Sequence, residues 1–260
     1  MDEVKFTAKL THKSNTKPHE VKLKVFWKTT KKWTAADIAD FQNSVPGIAE
    51  KLRNERYWTK DGSIHQDAFT CEDFAVRILA QYAASKGLPV KLKTGVRIFR
   101  NMEVYDPKEH DNYVSDMWGF AEMVMLSYGA PDMQRVGENT LSVPSADMLK
   151  PGDILAQTND NRGISHHIQV CMKASPLRVD IIQGNSSGVI VRPFTTIMRW
   201  LGSNRADPQN SSYAGMIPQR GVWTKKGAGW DYHNLETDSK VSDFMKAFIF
   251  FRWNFEEFNK

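Results

Sequence analysis

The spacing of the apolar residues changes part-way along the chain, and this change constrains the fold more than any other feature. In the first half, apolar side chains recur at helical intervals, as in Phe74, Ile78, Leu79 and Tyr82. In the second half they form short runs, such as residues 167–172, which are separated by Asn, Gly and Ser. Helices followed by strands predict an α+β fold in which helices pack on an antiparallel β-sheet.

The individual elements follow from the same patterns. Residues 34–55 and 116–128 are predicted to be helices, the first with a break near Pro46-Gly47. Residues 202–240, rich in Gly, Asn, Ser and Trp, predict a long irregular insertion, and residues 247–255 a closing strand. The remaining expectations are an exposed lysine-rich strand within 1–33, loops over 57–68 and 102–112, strand-like segments at 88–99, 153–155, 167–172, 179–182 and 189–191, and a short helix over 194–201.

Cys71 stands where a loop is predicted to become a helix. Thr70 is a suitable N-cap, and Gly87 ends the helix. A thiol in the first turn feels the positive end of the helix dipole, which favours the nucleophilic thiolate. The neighbouring Glu72 and Asp73 oppose this effect. With two cysteines in the chain, a disulfide-rich scaffold is not expected.

A cysteine nucleophile needs a base and a group that orients the base. Of the seven histidines, His166 and His167 open an apolar strand, so alternation should turn one of them toward the cysteine helix. On the next strand, Gln183 or Asn185 could accept a hydrogen bond from the imidazole. The alternative is that the histidines only follow a turn and that Asn185 only builds one.

The sequence lacks the motifs of several other catalytic and binding sites. The chain has no His-x-x-x-His or Cys-x-x-Cys pair and no glycine-rich phosphate loop, so neither a metal nor a cofactor is expected. Ser186 lies in Gly-x-Ser-x-Gly, but the strand-like residues 189–191 follow it where a nucleophile elbow needs a helix. A net charge of +5 without a nucleic-acid motif does not predict nucleic-acid binding. We expect a monomer without a membrane span.

Three stretches resemble the NlpC-type and CHAP-type families of papain-like cysteine peptidases. Residues 149–155, which contain Pro-Gly-Asp, resemble the strand entry that precedes the histidine in these families. Residues 165–170 resemble their "GHVGIV" strand and align His167 with the catalytic histidine, which leaves His166 as an alternative base. Residues 182–187 resemble the "EGNxs" segment, with Gln183 in the acidic position and Asn185 in the asparagine position.

This resemblance extends over residues 65–192 and implies a papain-like cysteine hydrolase. Cys71 would attack an amide of a peptidoglycan stem peptide, His167 would carry the proton, and backbone amides of the cysteine helix would stabilise the oxyanion. The N-terminus lacks the apolar stretch of a signal peptide, so we expect synthesis in the cytoplasm and export by a dedicated system. This combination predicts an antibacterial effector, with a secretion carrier and an immunity protein, or a phage lysis enzyme.

We expect a single domain over 1–260, with an N-terminal extension over 1–60, a catalytic core over 61–200 and an insertion plus closing strand over 201–260. Two other functions remain open. Residues 71–90 also resemble the cysteine helix of transglutaminase-like proteins, which would predict a deamidating or transglutaminating enzyme that uses His110. Because Gln183 replaces a carboxylate, a catalytically inactive binding module of the same fold is the third hypothesis.

Overall fold

The fold is known from a computed structural model. It describes residues 25–58, 64–103, 113, 115–158, 165–187, 205–210 and 212–260. The strand predicted at 189–191, the helix predicted over 194–201, most of the predicted N-terminal strand and His110 lie outside these ranges. Residues 25–33, which that strand would have included, contain no strand.

The bounds of the three longer helices agree with the predicted ones to within a few residues, although the Thr70 side chain at the start of the cysteine helix makes no capping hydrogen bond. The helices are α1 (Ala35–Asn54), α2 (Cys71–Lys86), α3 (Met117–Met125) and α4 (Phe255–Phe258). Thr34 and Asp37 form a capping box at the start of α1, and Gly87 ends α2 in the left-handed conformation at φ 64°. The expected break at Pro46-Gly47 is wrong, since α1 runs through both residues. Its buried face, which includes Phe41 and Val45, packs well enough to outweigh the missing proline donor.

The strands form one large antiparallel sheet and two small hairpins. The hairpins are β1 (Arg56–Trp58) with β2 (Ile64–Gln66), and β3 (Lys91–Lys93) with β4 (Ile98–Arg100). The sheet contains β5 (Thr140–Val143), β6 (Ile154–Thr158), β7 (Ser165–Ser175), β8 (Arg178–Gln183), β9 (Gln219–Lys226), β10 (Gly229–Asn234), β11 (Lys240–Val241) and β12 (Phe248–Trp253). Its order is β11-β10-β9-β8-β7-β6-β12-β5. The α+β class with an antiparallel sheet is therefore confirmed.

Several element predictions need correction. The predicted loop over 57–68 contains parts of β1 and β2, and the strand-like segment 88–99 is divided between β3 and β4. The predicted irregular insertion over 202–240 contributes β9, β10 and the start of β11, and the predicted closing strand is β12, which lies inside the sheet between β5 and β6. Gly221 shows why β9 escaped prediction. A Cβ there would lie 2.7 Å from the Tyr232 ring, so this glycine marks a close approach of two strands and not a loop.

The sheet buries both of its faces. On one face Ile168, Val170 and Ile182 share a core with α2, including Phe74 and Ile78. The other face forms a second core around Trp223, with Cys171, Ile181, Phe248 and Tyr232 among its members. A sheet that is buried on both sides holds the ends of β7 and β8 in fixed positions.

The Pro-Gly-Asp stretch has a structural role at the start of β6. Gly152 adopts φ 87°, and a Cβ on it would lie 2.7 Å from Cε1 of Phe41. The Asp153 side chain, 1% exposed, accepts hydrogen bonds from Nε (2.8 Å) and Nη2 (2.7 Å) of Arg252 on β12. Such a two-point contact satisfies a buried carboxylate and fixes β12 beside β6.

Two glycines offer a matched test of this packing. Gly47→Ala lies inside α1 with no atom within 4 Å of the added Cβ, so we expect the free energy of unfolding to rise by about 0.5–1 kcal/mol. Gly152→Ala combines positive φ with a clash and should lower it by about 1–3 kcal/mol. Urea unfolding measures both, and equal effects of the two substitutions would contradict the packing described.

Candidate active site

Cys71 is the first residue of α2 and is 8% exposed. Its Sγ lies 2.8 Å from Oε2 of Glu72, to which the thiol donates a hydrogen bond. This carboxylate favours the protonated thiol, whereas the helix N-terminus favours the thiolate. Cys171 differs, because its side chain is fully buried and burial raises the pKa of its thiol far above the usual range. Neither cysteine forms a disulfide, and Cys71 is the more exposed of the two.

The start of α2 is attached to the end of β8. The carbonyl oxygen of Phe69 accepts hydrogen bonds from the backbone N–H groups of Asn185 (3.0 Å) and Met216 (3.2 Å). Gly184 touches the next residue, because a Cβ on it would lie 2.1 Å from the carbonyl oxygen of Thr70. The residue before the candidate nucleophile therefore contacts the residue after Gln183, with no room for a side chain between them.

A chain of hydrogen bonds on the Trp223 side of the sheet fixes the tautomer of His167. The indole Nε1 of Trp223 can only donate, so its partner at 2.8 Å is the carbonyl oxygen of Gln169. The Gln169 amide nitrogen then donates to Oε1 of Gln183 at 2.9 Å. The same Oε1 lies 3.0 Å from Nε2 of His167, and because an amide oxygen only accepts, Nε2 carries the proton.

This arrangement gives His167 the properties of a base. With the proton on Nε2, the neutral ring keeps its lone pair on Nδ1. Burial lowers the pKa of His167, the hydrogen bond to Gln183 raises it, and His166 nearby lowers it, with a net decrease. The imidazole is therefore neutral near pH 7 and able to accept a proton.

The two neighbouring histidines differ in environment. His166 is exposed, whereas His167 is partly buried and held by Gln183. The pairing of β6 with β7 passes from Gln157↔His167 to Thr158↔Ser165, which leaves His166 as an extra residue in the ladder. From His167 onward the alternation of β7 is regular, so His167 shares the Trp223 face with Gln169, while Ile168 and Val170 face α2. The irregularity takes only His166 out of this alternation. The oriented ring belongs to His167.

The two candidates for the orienting group, Gln183 and Asn185, also differ in their hydrogen-bond partners. Gln183, 5% exposed, contacts the imidazole, whereas the Asn185 side chain accepts a hydrogen bond from the Ser186 backbone N–H at 2.9 Å. Asn185 thus builds its own turn, and its backbone N–H holds Phe69.

Gln169, Trp223 and Tyr213 escaped prediction. A role for Gln169 could have been predicted from the sequence, because this residue lies two positions after His167 on the same side of β7. Tyr213 and Trp223 lie within 202–240, for which the sequence predicts an irregular insertion. Tyr213 Oη accepts a hydrogen bond from Thr70 N at 3.0 Å and donates to Oδ2 of Asp73 at 2.6 Å, so it braces the first turn of α2. Burial raises the pKa of Asp73 to about 7.

Comparison with known proteins adds no assignment. No protein-family model matches the chain, and neither a curated protein nor a solved structure matches it significantly. Within the described ranges, no group of three or more His, Cys, Asp or Glu side chains is arranged to hold a metal ion. In the same part of the chain, no helix is long and apolar enough to cross a bilayer.

The contact between Gln183 and His167 can be tested by titration. Gln183→Glu keeps the acceptor oxygen and adds a negative charge, so we expect the pKa of His167 to rise by about 1–2 units, measured by NMR of the ring protons. Asn185→Asp is the control, with a smaller effect expected because its side chain bonds Ser186. An equal or larger rise with Asn185→Asp would reverse the assignment.

The same variant changes the pH dependence of stability. The folded-state pKa of His167 lies below the unfolded value of about 6.5, so its contribution to stability is present above that pH and is lost as the pH falls. Gln183→Glu should reduce this loss.

Gly184→Ala tests the contact between β8 and α2. The new Cβ would meet two backbone carbonyl oxygens, at 2.1 Å (Thr70) and 2.8 Å (Phe69), and neither can move like a flexible side chain. We expect a loss of about 1–3 kcal/mol in the free energy of unfolding, together with an altered rate of Cys71 alkylation. Gly47→Ala, which adds the same atom in open space, should leave the alkylation rate unchanged.

Proposed function

We propose that this protein is a cysteine hydrolase in which Cys71 is the nucleophile, His167 the proton carrier and Gln183 the orienting group. The observation that carries the proposal is the fixed tautomer of His167, with Nε2–H on Gln183 and the lone pair on Nδ1. In the first step Sγ forms a bond to the amide carbonyl carbon while its proton passes to Nδ1. The imidazolium then gives that proton to the leaving amine, and water hydrolyses the thioester.

The backbone supports this division of roles. Gly184 brings the end of β8 against Thr70, and Gln183, the residue before Gly184, contacts His167 at the start of β7. The N–H groups in the first turn of α2 would stabilise the oxyanion as the carbonyl oxygen gains charge. Tyr213, through Thr70 and Asp73, holds that turn in place.

The substrate part of the proposal rests on the motif resemblance. A papain-like arrangement of the NlpC and CHAP type agrees with the α+β fold, with the cysteine on a helix N-terminus and with Gln183 in the acidic position beside the histidine. We therefore propose an amide bond of a peptidoglycan stem peptide as the substrate. Action as an exported antibacterial effector or phage lysis enzyme, with an immunity protein as partner, is the corresponding biological role.

Two observations favour an inactive binding module as the second candidate. The Cys71 thiol donates to the Glu72 carboxylate, and the imidazole is supported by a neutral amide in place of a carboxylate. Both features stabilise the uncharged pair of thiol and imidazole.

Digestion of purified peptidoglycan, read by mass spectrometry, distinguishes the two. Wild type should release new muropeptides, and Cys71→Ala should release none. His167→Asn should lower the rate by about 100-fold or more because it removes the base, whereas His166→Asn, next to it on the strand, should stay close to wild type. If only His166→Asn abolished activity, His166 would be the base instead of His167. Wild type without products, and with a Cys71 thiol inert to iodoacetamide at neutral pH, would support the binding module.

A further inference from the structure

The hydroxyl of Tyr232 is a buried polar group that the proposed mechanism does not use. The residue is 7% exposed, stands opposite Trp223 in the pairing of β9 with β10, and packs on its indole with ring centroids 4.8 Å apart. The Oη atom is buried and has no hydrogen-bond partner among the residues that the structure describes. Because burying an unpaired hydroxyl is costly, this group requires an explanation.

The Tyr232 ring extends across the sheet toward Gln183. It leans from Trp223 over Gly221, where a Cβ would lie 2.7 Å from Oη. Two residues before Gly221, on the same face of β9, Gln219 is paired with Gln183 of β8. The hydroxyl at the end of the ring therefore follows a diagonal that runs from β10, over β9, to Gln183.

The pKa of Tyr232 agrees with this placement. Burial raises the pKa to about 12, although the side chains of Gln183 and Asn234 lower it. Asn234 is held by other groups, because its Nδ2 donates to Oε1 of Gln219 at 2.9 Å and its Oδ1 accepts from the Glu236 backbone N–H at 3.0 Å. This leaves Gln183 as the side chain on which the hydroxyl can act.

The amide nitrogen of Gln183 is the atom that suits Tyr232. Oε1 of Gln183 accepts from Gln169 at 2.9 Å and from His167 at 3.0 Å, which uses both of its lone pairs. The Nε2 group of the same amide can only donate, and a phenol oxygen can accept. When an imidazolium draws electron density toward Oε1, the amide nitrogen becomes a better donor, so hydrogen bonds on the two sides of the amide strengthen each other.

We propose that Tyr232 is a positioning residue for His167 that acts through the Gln183 amide. Its oxygen would accept from Nε2 of Gln183 as the imidazole takes up a proton, and this contact would make Oε1 a stronger acceptor for the imidazolium. The hydroxyl has no partner at rest because catalytic hydrogen bonds often tighten only during the reaction. It would replace part of the support that a carboxylate at position 183 would give. The role in catalysis rests on the proposed function.

Tyr232→Phe removes the hydroxyl and keeps the ring on Trp223. We expect the pKa of His167, titrated by NMR of the ring protons, to fall by about 0.3–0.7, and the rate of peptidoglycan digestion to fall by about 2–5-fold. Tyr128→Phe is the matched control. It removes another buried hydroxyl, which bonds Sδ of Met133 at 3.4 Å in the core shared with α2, and should leave the pKa of His167 unchanged.

The effect should depend on the group at position 183. In Gln183→Glu the Tyr232 hydroxyl would donate to the carboxylate and weaken it as an acceptor, so adding Tyr232→Phe should leave the pKa of His167 unchanged or raise it. A fall of the same size in both backgrounds would indicate a general structural effect and overturn the inference. An unchanged pKa in folded Tyr232→Phe, or an equal fall in Tyr128→Phe, would overturn it as well.

The two proposals fail in different measurements. Wild type that releases no muropeptides would refute the hydrolase, whereas the titration needs no turnover and would still decide whether Tyr232 acts on His167 through Gln183.

Discussion

The direction of one hydrogen bond determines the chemistry available at this site. The Trp223 indole can only donate, and it therefore sets the orientation of Gln169, which sets that of Gln183, which places the proton of His167 on Nε2. Each amide in this chain is buried, so reversing one would leave two donors facing each other in a low-dielectric core. A residue on β9 thus controls the nitrogen of β7 that can accept a proton.

Glycines impose the second constraint, because they determine which backbone segments can come into close contact. Gly184 lets the carbonyl oxygen of Thr70 approach β8, and Gly152 lets the chain turn under Phe41 before Asp153 reaches Arg252. Two of the motif stretches that carry the family resemblance are therefore tied to packing. Gly184 joins the start of α2 to the sheet, and the Pro-Gly-Asp stretch joins β6 to β12. Their chemistry is indirect, since they position the residues that could react.

The sequence predicts the features of this site that depend on neighbouring residues, but not those that depend on contacts between distant segments. The start of α2 at Cys71 follows from the apolar spacing, although the Thr70 side chain does not cap the helix as predicted, and the histidine strand follows from its composition. Alternation could not choose between His166 and His167, because the pairing irregularity at that point depends on the partner strand β6. The strands within 202–240 were not predicted, because their glycines and polar residues are also typical of a loop. The reason for Gly221 is visible only in the sheet, where the Tyr232 ring packs against it. Trp223 could not be linked to His167 without that sheet.

The charges around Cys71 indicate how such a site would work. The Cys71 thiol donates a hydrogen bond to Glu72, and the lowered pKa of His167 favours its neutral imidazole. A neutral acceptor such as Gln183 contributes about 0.5–1.5 kcal/mol to a hydrogen bond, against about 1.5–3 kcal/mol when a charged group takes part. The imidazolium formed during attack would therefore receive less support than a carboxylate would give. In the proposed hydrolase, proton transfer would therefore depend on the bound substrate, which would exclude water while the α2 amides stabilise the oxyanion. Such a site would keep its thiol unreactive until the correct amide is bound.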